Sequence, residues 1–236
     1  MKDYITVDRI EKELSFVNLV ITTINIDAKN EDDLFKTFKQ EEFNLKNLTR
    51  NSQIHSSIVN KIDRNNIGQR IDGDALITNV PQVPLLILTA DCVPVVIIDP
   101  KNKAIGVAHA GWRGTYDQIS KNITNEMIKN YHSNPEDLIC VIGPSIGPCC
   151  YEVSKDLVEK FNINLANHAG KFDIIKDNKH YLDLWKINEL ILKDCKIKEK
   201  NIINLQMCTN CNHDKFYSYR KHNKTPKRIG TMIQIR

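Results

Sequence analysis

From position 75 onward, short apolar runs follow one another with single polar breaks. The runs 75–78, 85–89, 93–98 and 104–108 are rich in Val, Ile and Leu and are bounded by Pro, Asp, Asn and Gly. Apolar runs of this length without polar alternation suit strands covered on both faces. The period then changes. Ile119, Ile123, Met127, Ile128 and Tyr131 recur at three-to-four spacing, which predicts a helix over 116–131 with one core-facing stripe. Asn134-Pro135 stops it, and 138–142 returns as a strand. Ser154 is placed to cap a helix running to Phe161. Asp183 is placed to cap another, with Leu184, Ile187, Leu190 and Ile191 on its buried side. The runs 202–207 and 231–235 read as closing strands. Before position 75 the pattern is weaker: 25–51 is polar and rich in Asn, Lys and Glu, with a short helix around 32–38. Neighbouring strands without helices between them argue for a layered α/β (α+β) fold rather than a regular doubly wound sheet.

Composition narrows the picture. The 236 residues are 41% hydrophobic and 26% charged, ordinary for one large globular domain able to bury its own core. No repeat and no linker-like stretch divides the chain, so residues 1–236 are expected to form a single domain. The net charge of +4 is scattered. Lys196, Lys198 and Lys200 read as a solvated face, and no basic arm suggests a nucleic-acid partner. Asp3, Asp8, Arg9, Glu11, Lys12 and Glu13 leave no apolar signal segment at the start. The most apolar stretch, 83–98, is interrupted by Pro84, Asp91 and Pro94 and is too short to span a bilayer, so no membrane association is expected. Seven cysteines without a regular framework fit a reducing cytoplasm, with thiols available for metal or redox work.

Three stretches hold residues that are costly unless used. Thr89-Ala90-Asp91-Cys92-Val93-Pro94 sets a carboxylate beside a thiol where a buried strand breaks. His109-Ala110-Gly111-Trp112-Arg113-Gly114 ends a strand on a histidine and turns into a helix. Gln53-Ile54-His55 supplies a second imidazole. A borderline-soft ion such as Zn²⁺ takes imidazole nitrogen and thiolate sulfur, and a trio of His55, Cys92 and His109 would leave a fourth position open, the mark of a catalytic site. Asp91 is placed to act as general base or to orient a ligand histidine. Arg113 and the helix N-terminus suit an anion, and Trp112 a flat ring. The plainer alternatives stand beside these: a buried structural thiol and a satisfied polar histidine are common. Separations of 37 and 17 residues between the candidate ligands match no local zinc pattern.

In order along the chain stand Asp74-Ala75-Leu76-Ile77-Thr78, Thr89-Ala90-Asp91-Cys92-Val93-Pro94, His109-Ala110-Gly111-Trp112-Arg113-Gly114, Ile142-Gly143-Pro144-Ser145-Ile146-Gly147-Pro148-Cys149-Cys150-Tyr151-Glu152-Val153 and Phe216-Tyr217-Ser218-Tyr219-Arg220-Lys221. Together they closely resemble the YfiH family, also called the laccase-domain or polyphenol-oxidase-like purine nucleoside phosphorylase family, from about Gln53 to the C-terminus. The resemblance implies a layered α/β/β/α-type fold with mixed sheets and a zinc site at His55, Cys92 and His109, with copper as the other metal associated with the family. It implies phosphorolysis of adenosine, inosine, guanosine and methylthioadenosine and deamination of adenosine. Peptidoglycan-precursor editing and copper-dependent polyphenol oxidation are the alternatives. The expected partners are a purine nucleoside and phosphate; monomer and homodimer are both open. Asp91, Cys92, His109 and Arg113 are the expected catalytic residues, and Trp112, Ser145, Tyr219 and Arg220 the expected substrate contacts.

Departures accompany the likeness. Val20-Ile21-Thr22-Thr23-Ile24-Asn25 stands where the family usually has Phe-Thr-Thr-Arg-x-Gly-Gly, Ser56 where it has glycine, and Arg220-Lys221 where it has an arginine pair. Cys149-Cys150 reads as a turn element, with a nucleophile or redox pair as the other reading. Cys208-x-x-Cys211 with His213 and His222 raises a second, structural zinc site. His132, His168 and His180 lie in polar stretches.

Overall fold

The apolar runs pair into two sheets stacked face to face, in a computed structural model that describes residues 2–39 and 42–236. In chain order the elements begin with β1 (Tyr4–Ile5), α1 (Asp8–Glu13), β2 (Val17–Thr22), α2 (Glu31–Thr37), β3 (Val59–Lys61) and β4 (Ala75–Thr78). The central part holds β5 (Leu85–Thr89), β6 (Val93–Asp99), β7 (Ala104–Ala110), α3 (Trp112–Tyr116), α4 (Ile119–Tyr131) and β8 (Ile139–Ile142). Then come β9 (Glu152–Val153), α5 (Lys155–Asn164), β10 (Asp173–Lys176), β11 (Lys179–Leu182), α6 (Leu184–Asp194), β12 (Ile202–Asn204) and β13 (Ile229–Ile235).

One mixed sheet has the order β12-β8-β6-β7-β4-β3, with parallel pairs at both edges and antiparallel pairs between. The other, β1-β2-β13-β5, is antiparallel throughout. Strand alternation sorts the side chains. Val96, Ile98, Ile105 and Val107 of the six-stranded sheet meet Leu85, Ile87, Val17, Leu19 and Ile233 of the four-stranded one. The opposite face of the six-stranded sheet presents Val93, Val95, Ile97, Ala108 and Ala110 to α4, α5 and α6. The outer face of the four-stranded sheet, with Val20, Leu86 and Met232, is covered by Leu34 of α2 and by Phe38, Phe43 and Leu45. The layers therefore run helix, sheet, sheet, helix, as the resemblance implies. Among the described residues, no helix is long and apolar enough to cross a membrane.

Local chemistry explains the ends of the helices. Ser154 accepts from the Leu157 N–H, Asp183 from that of Lys186 and Asn30 from that of Asp32, so each satisfies a donor its helix leaves open. Ile119, Ile123, Met127 and Tyr131 are buried as expected, whereas Ile128 lies on the rim and is exposed. The helix predicted over 116–131 is α4, starting at Ile119, and a separate short helix, α3, precedes it. Gln118 has φ +56, and the chain turns sharply between the short α3 and the longer α4. The closing strand predicted over 202–207 ends at Asn204. The polar 25–51 segment carries α2 where a helix was expected, and its Gln40 and Glu41 lie outside the described residues.

A buried polar node fixes α3. Asn188 on α6 donates from Nδ2 to Thr115 Oγ1 (3.2 Å) and to the Leu184 carbonyl (2.8 Å), and its Oδ1 accepts from Ser120 Oγ (2.6 Å). One amide thus joins α3, α4 and α6 in the apolar layer. Replacing it with alanine strands the buried Ser120 hydroxyl and leaves that of Thr115 with only the Ala110 carbonyl, and Asn188→Ala is expected to cost about 1–3 kcal/mol of unfolding free energy. Urea denaturation with an unchanged m-value checks this; an unshifted midpoint would show that the node contributes nothing.

Candidate metal centre

Strand register brings two of the three expected ligands together. Val93 of β6 pairs with Ala110 of β7 and Pro94 with His109, so Cys92, one residue earlier, falls across from Gly111. Alternation places Cys92 and His109 on the same face of the sheet, at its end. A Cβ on Gly111 would come within 3.1 Å of Cys92 Sγ, 3.5 Å of His55 Cδ2 and 3.8 Å of His109 Cε1. The missing side chain keeps the space among the three open.

His55 arrives from a loop that the side chains of other residues hold in place. Gln53 reaches the end of β5 and imitates a strand neighbour, donating to the Leu88 carbonyl and accepting from the Leu88 N–H, both at 2.8 Å. Asp74, wholly buried just before β4, gathers the rest. Its carboxylate accepts from the N–H groups of Ile54 (3.2 Å), His55 (3.1 Å) and Ser56 (2.6 Å), and from Ser56 Oγ (2.8 Å). Ser56 thus adds a hydrogen bond that glycine cannot make. The same carboxylate lies 2.8 Å from Nδ1 of His109. That contact turns the other ring nitrogen toward Cys92 and His55, the arrangement in which a carboxylate orients a ligand imidazole. His55 has φ +60, a left-handed conformation rarely adopted by L-residues, and the three N–H bonds to Asp74 compensate for it.

The ligand atoms of His55, Cys92 and His109 lie within 4.8 Å of one another, and the two imidazoles meet edge to face at 4.9 Å. Burial pushes the Asp74 carboxyl up, but the bonds from His109 and Ser56 outweigh it and hold it at about 2. Burial likewise raises the Cys92 thiol, yet the His109 charge and the hydrogen bonds from His109 and His55 bring it well below the usual thiol value. His109 is shifted the other way: burial lowers it, and the Cys92 thiolate with Asp74 more than reverses this. A thiolate and two imidazoles aimed at one open point fit a single borderline-soft cation, with a coordination position to spare.

Around the trio, the expected residues fall into different roles. Asp91, at φ +85, is buried, and each of its oxygens accepts a bond at 2.7 Å, Oδ1 from Thr209 Oγ1 and Oδ2 from the Arg220 N–H. It ties the loop before β13 to the cysteine. Arg220 itself is exposed, with its guanidinium 5.2 Å from the ring of Tyr151. Arg113 is exposed and stacks on Trp112 at 4.3 Å, so the ring face expected to take a base is covered by the fork expected to take an anion. The α3 helix that starts there has only five residues, too short to concentrate much of a helix dipole. Tyr219 is exposed. Ser145, expected to contact substrate, is fully buried. Its hydroxyl donates to the Gly143 carbonyl (3.2 Å) and accepts from the Trp185 indole N–H (2.5 Å), so it has nothing to offer outward.

Three contributors are not evident from sequence. Asp74 shows only as an acidic residue directly before a buried strand. Thr209 has no signal beyond its place after a cysteine. Tyr151 reads as a turn residue, yet it lies within electrostatic reach of Cys92, Asp91, Arg220 and Arg113. Burial first, then the Cys92 and Asp91 charges, push it up to about 12 against the two arginines. The histidines proposed to join Cys208 and Cys211 do not. Nδ1 of His213 lies 3.1 Å from the Asn210 carbonyl, Nδ1 of His222 accepts from the Ser218 N–H, and the two rings pack on each other at 6.0 Å. The sulfurs of Cys208 and Cys211 lie instead beside those of Cys149 and Cys150.

The family model described as multi-copper polyphenol oxidoreductase laccase matches residues 17–236, reaching well before Gln53. A purine nucleoside phosphorylase of Clostridium acetobutylicum is 34% identical over 214 residues, 89% of this chain and 85% of that protein. An adenosine deaminase of an unknown prokaryotic organism is 34% identical over 152 residues, 63% of this chain and 56% of that one. The crystal structure of YfiH from Bacillus licheniformis matches with a TM-score of 0.87 at 26% identity, covering 95% of each chain. With a fold that superposes on that structure over nearly its whole length and a family match over residues 17–236, the chain belongs to the YfiH-like, laccase-domain family.

Proposed function

We propose that this chain is a zinc-dependent enzyme of purine nucleoside metabolism, a phosphorylase that also deaminates adenosine. The observation that carries the reading is the convergence of His55, Cys92 and His109 on one point with exposed guanidiniums nearby. Relatives named purine nucleoside phosphorylase and adenosine deaminase support the substrate class. When bound there, a zinc ion would act as a Lewis acid and lower the pKa of a water ligand. The chain's own residues do the rest. Asp74 fixes the tautomer and direction of His109. Arg220, beside Tyr151, and Arg113, once it leaves Trp112, hold phosphate for attack on the anomeric carbon, from which the purine departs. In deamination, water adds at C6 and ammonia leaves, and Asp91 carries the proton. Each Asp91 oxygen accepts one hydrogen bond and keeps a second lone pair for that task. Tyr151 stays protonated at neutral pH and donates a hydrogen bond to bound anion.

The donor set supports a single mixed metal centre over oxidase chemistry as the main activity. Among the described residues, two groups of three or more ligands converge, and only one of them contains histidine. That supplies one mixed His/Cys site, not the several copper sites a multi-copper oxidase needs. A second reading does have an observation behind it. Cys92, His109 and Asp74 form a thiolate, imidazole and carboxylate line. Without metal this is the layout of a cysteine hydrolase acting on amides, including peptidoglycan precursors.

Chromatography of zinc-replete reactions tests the main reading. Adenosine with phosphate is expected to give adenine and ribose 1-phosphate, and adenosine alone to give inosine; absence of both products would end the nucleoside assignment. Activity that survives zinc removal but is lost on alkylation of Cys92 would favour the hydrolase.

Asp74→Asn is expected to lower zinc affinity and kcat/KM about 10–100-fold, because the amide cannot accept from both His109 and the His55 loop. Zinc content and kinetics measured together check this, and an unchanged pair of values would remove Asp74 from the site. Asp91→Asn keeps one acceptor for the Arg220 N–H and lets the Thr209 hydroxyl turn to accept from the amide, but removes the base. It is expected to lower deamination about 100-fold or more while phosphorolysis changes little. Equal losses in both reactions would make Asp91 a purely structural tie.

A further inference from the structure

Cys149 and Cys150 sit in the turn after β8, and Cys208 and Cys211 in the loop after β12. The four sulfurs lie within 4.8 Å of one another, and Cys211 Sγ is 3.5 Å from both Cys149 Sγ and Cys150 Sγ. All four thiols are free. A tetrahedral ion with Zn–S bonds of about 2.3 Å sets its sulfurs about 3.8 Å apart, so the cluster needs only small adjustments to close on one. We propose that these four cysteines hold a second zinc ion in a closed tetrathiolate site that locks the two loops forming one wall of the catalytic centre.

The backbone is already arranged for bound thiolate. The Gly147 N–H points at Cys208 Sγ at 3.3 Å, and the Cys211 N–H also bonds to that sulfur. Such N–H donors are the usual outer partners of metal-bound sulfur. Burial alone would raise the Cys208 thiol, and these two donors, with hydrogen bonds from the Cys149 and Cys211 thiols, reverse the shift. Cys149 and Cys150 move upward instead, from burial and from crowding by their neighbours, which a divalent cation would relieve as the thiols release their protons to solvent. Cys149 and Cys211 are exposed, so an ion can enter from water. Four sulfurs fill a tetrahedral shell and leave no open position, which makes the site structural.

The two loops are joined beside it. Ser145 pairs with Cys208 in a parallel bridge, the Ser145 N–H donates to the Met207 carbonyl and the Thr209 N–H to that of Ser145. Thr209 and Arg220 from one loop then hold Asp91, while the other loop runs into Tyr151. The inference does not depend on which nucleoside, if any, is the substrate.

Metal analysis of protein purified under reducing conditions is expected to give two zinc ions per chain. Cys211→Ser and Cys92→Ala should each lose one, and cobalt-loaded Cys92→Ala should show the intense charge-transfer and visible bands of a four-sulfur site. One zinc per chain, unaffected by Cys211→Ser, would overturn the proposal. So would an intact mass lighter by the two hydrogens of a disulfide, or iron in place of zinc. Should either variant fail to fold, the wild-type stoichiometry and a two-step cobalt titration decide between one site and two.

Discussion

The carboxylate of Asp74 is the interaction on which the site rests. A bare charge so deeply buried would be costly, and the protein surrounds it with three backbone N–H groups, a hydroxyl and an imidazole. Each partner is thereby placed. The N–H donors hold the His55 loop in a backbone conformation it would not otherwise keep, and the imidazole is turned so that its free nitrogen meets Cys92. The negative charge on Asp74 also supports the upward shift of His109, whose own charge lowers Cys92. One anion thus sets both geometry and protonation for a centre whose ligands come from three separate parts of the chain.

Rigidity is supplied by the strands around it. Cys92 and His109 stand at the paired ends of β6 and β7, which are buried along their whole length. The loops are stiffened differently, by side chains that copy backbone hydrogen bonds. Gln53 does so at Leu88, and Asp91 does so for Arg220 and Thr209. Gly114 allows α3 to come close to the His55 loop, since a Cβ there would lie 3.0 Å from the Ser56 carbonyl.

The central strands and the capped helices were legible because their signals are local: apolar runs, a three-to-four stripe, Ser154 and Asp183 at helix starts. The trio was legible from motifs whose residue types are costly without a use. What could not be read depends on contacts between distant segments. Nothing near Ser145 indicates that Trp185 will bond to its hydroxyl, and nothing near Asp74 indicates that five donors will converge on it. The break at Gln118 is also silent, because Gln carries no turn signature and the apolar spacing continues across it. The short strands β9, β10 and β11 are half polar; β10 and β11 close as a hairpin through the left-handed Asp177 and Asn178, whereas β9 reaches β11 from more than 20 residues away.

The anchoring of Gln53 to β5 has a consequence for how the layers move. The loop that carries His55 is tied to the four-stranded sheet through Gln53 at Leu88 and to the six-stranded one through Asp74, whose carboxylate also holds His109. An ion held by His55, Cys92 and His109 would tighten a loop that already joins the two layers. Sliding of one layer over the other would strain that loop and move His55 from its partners, so cation affinity and interlayer cohesion would be thermodynamically linked, each strengthening the other by the same free energy.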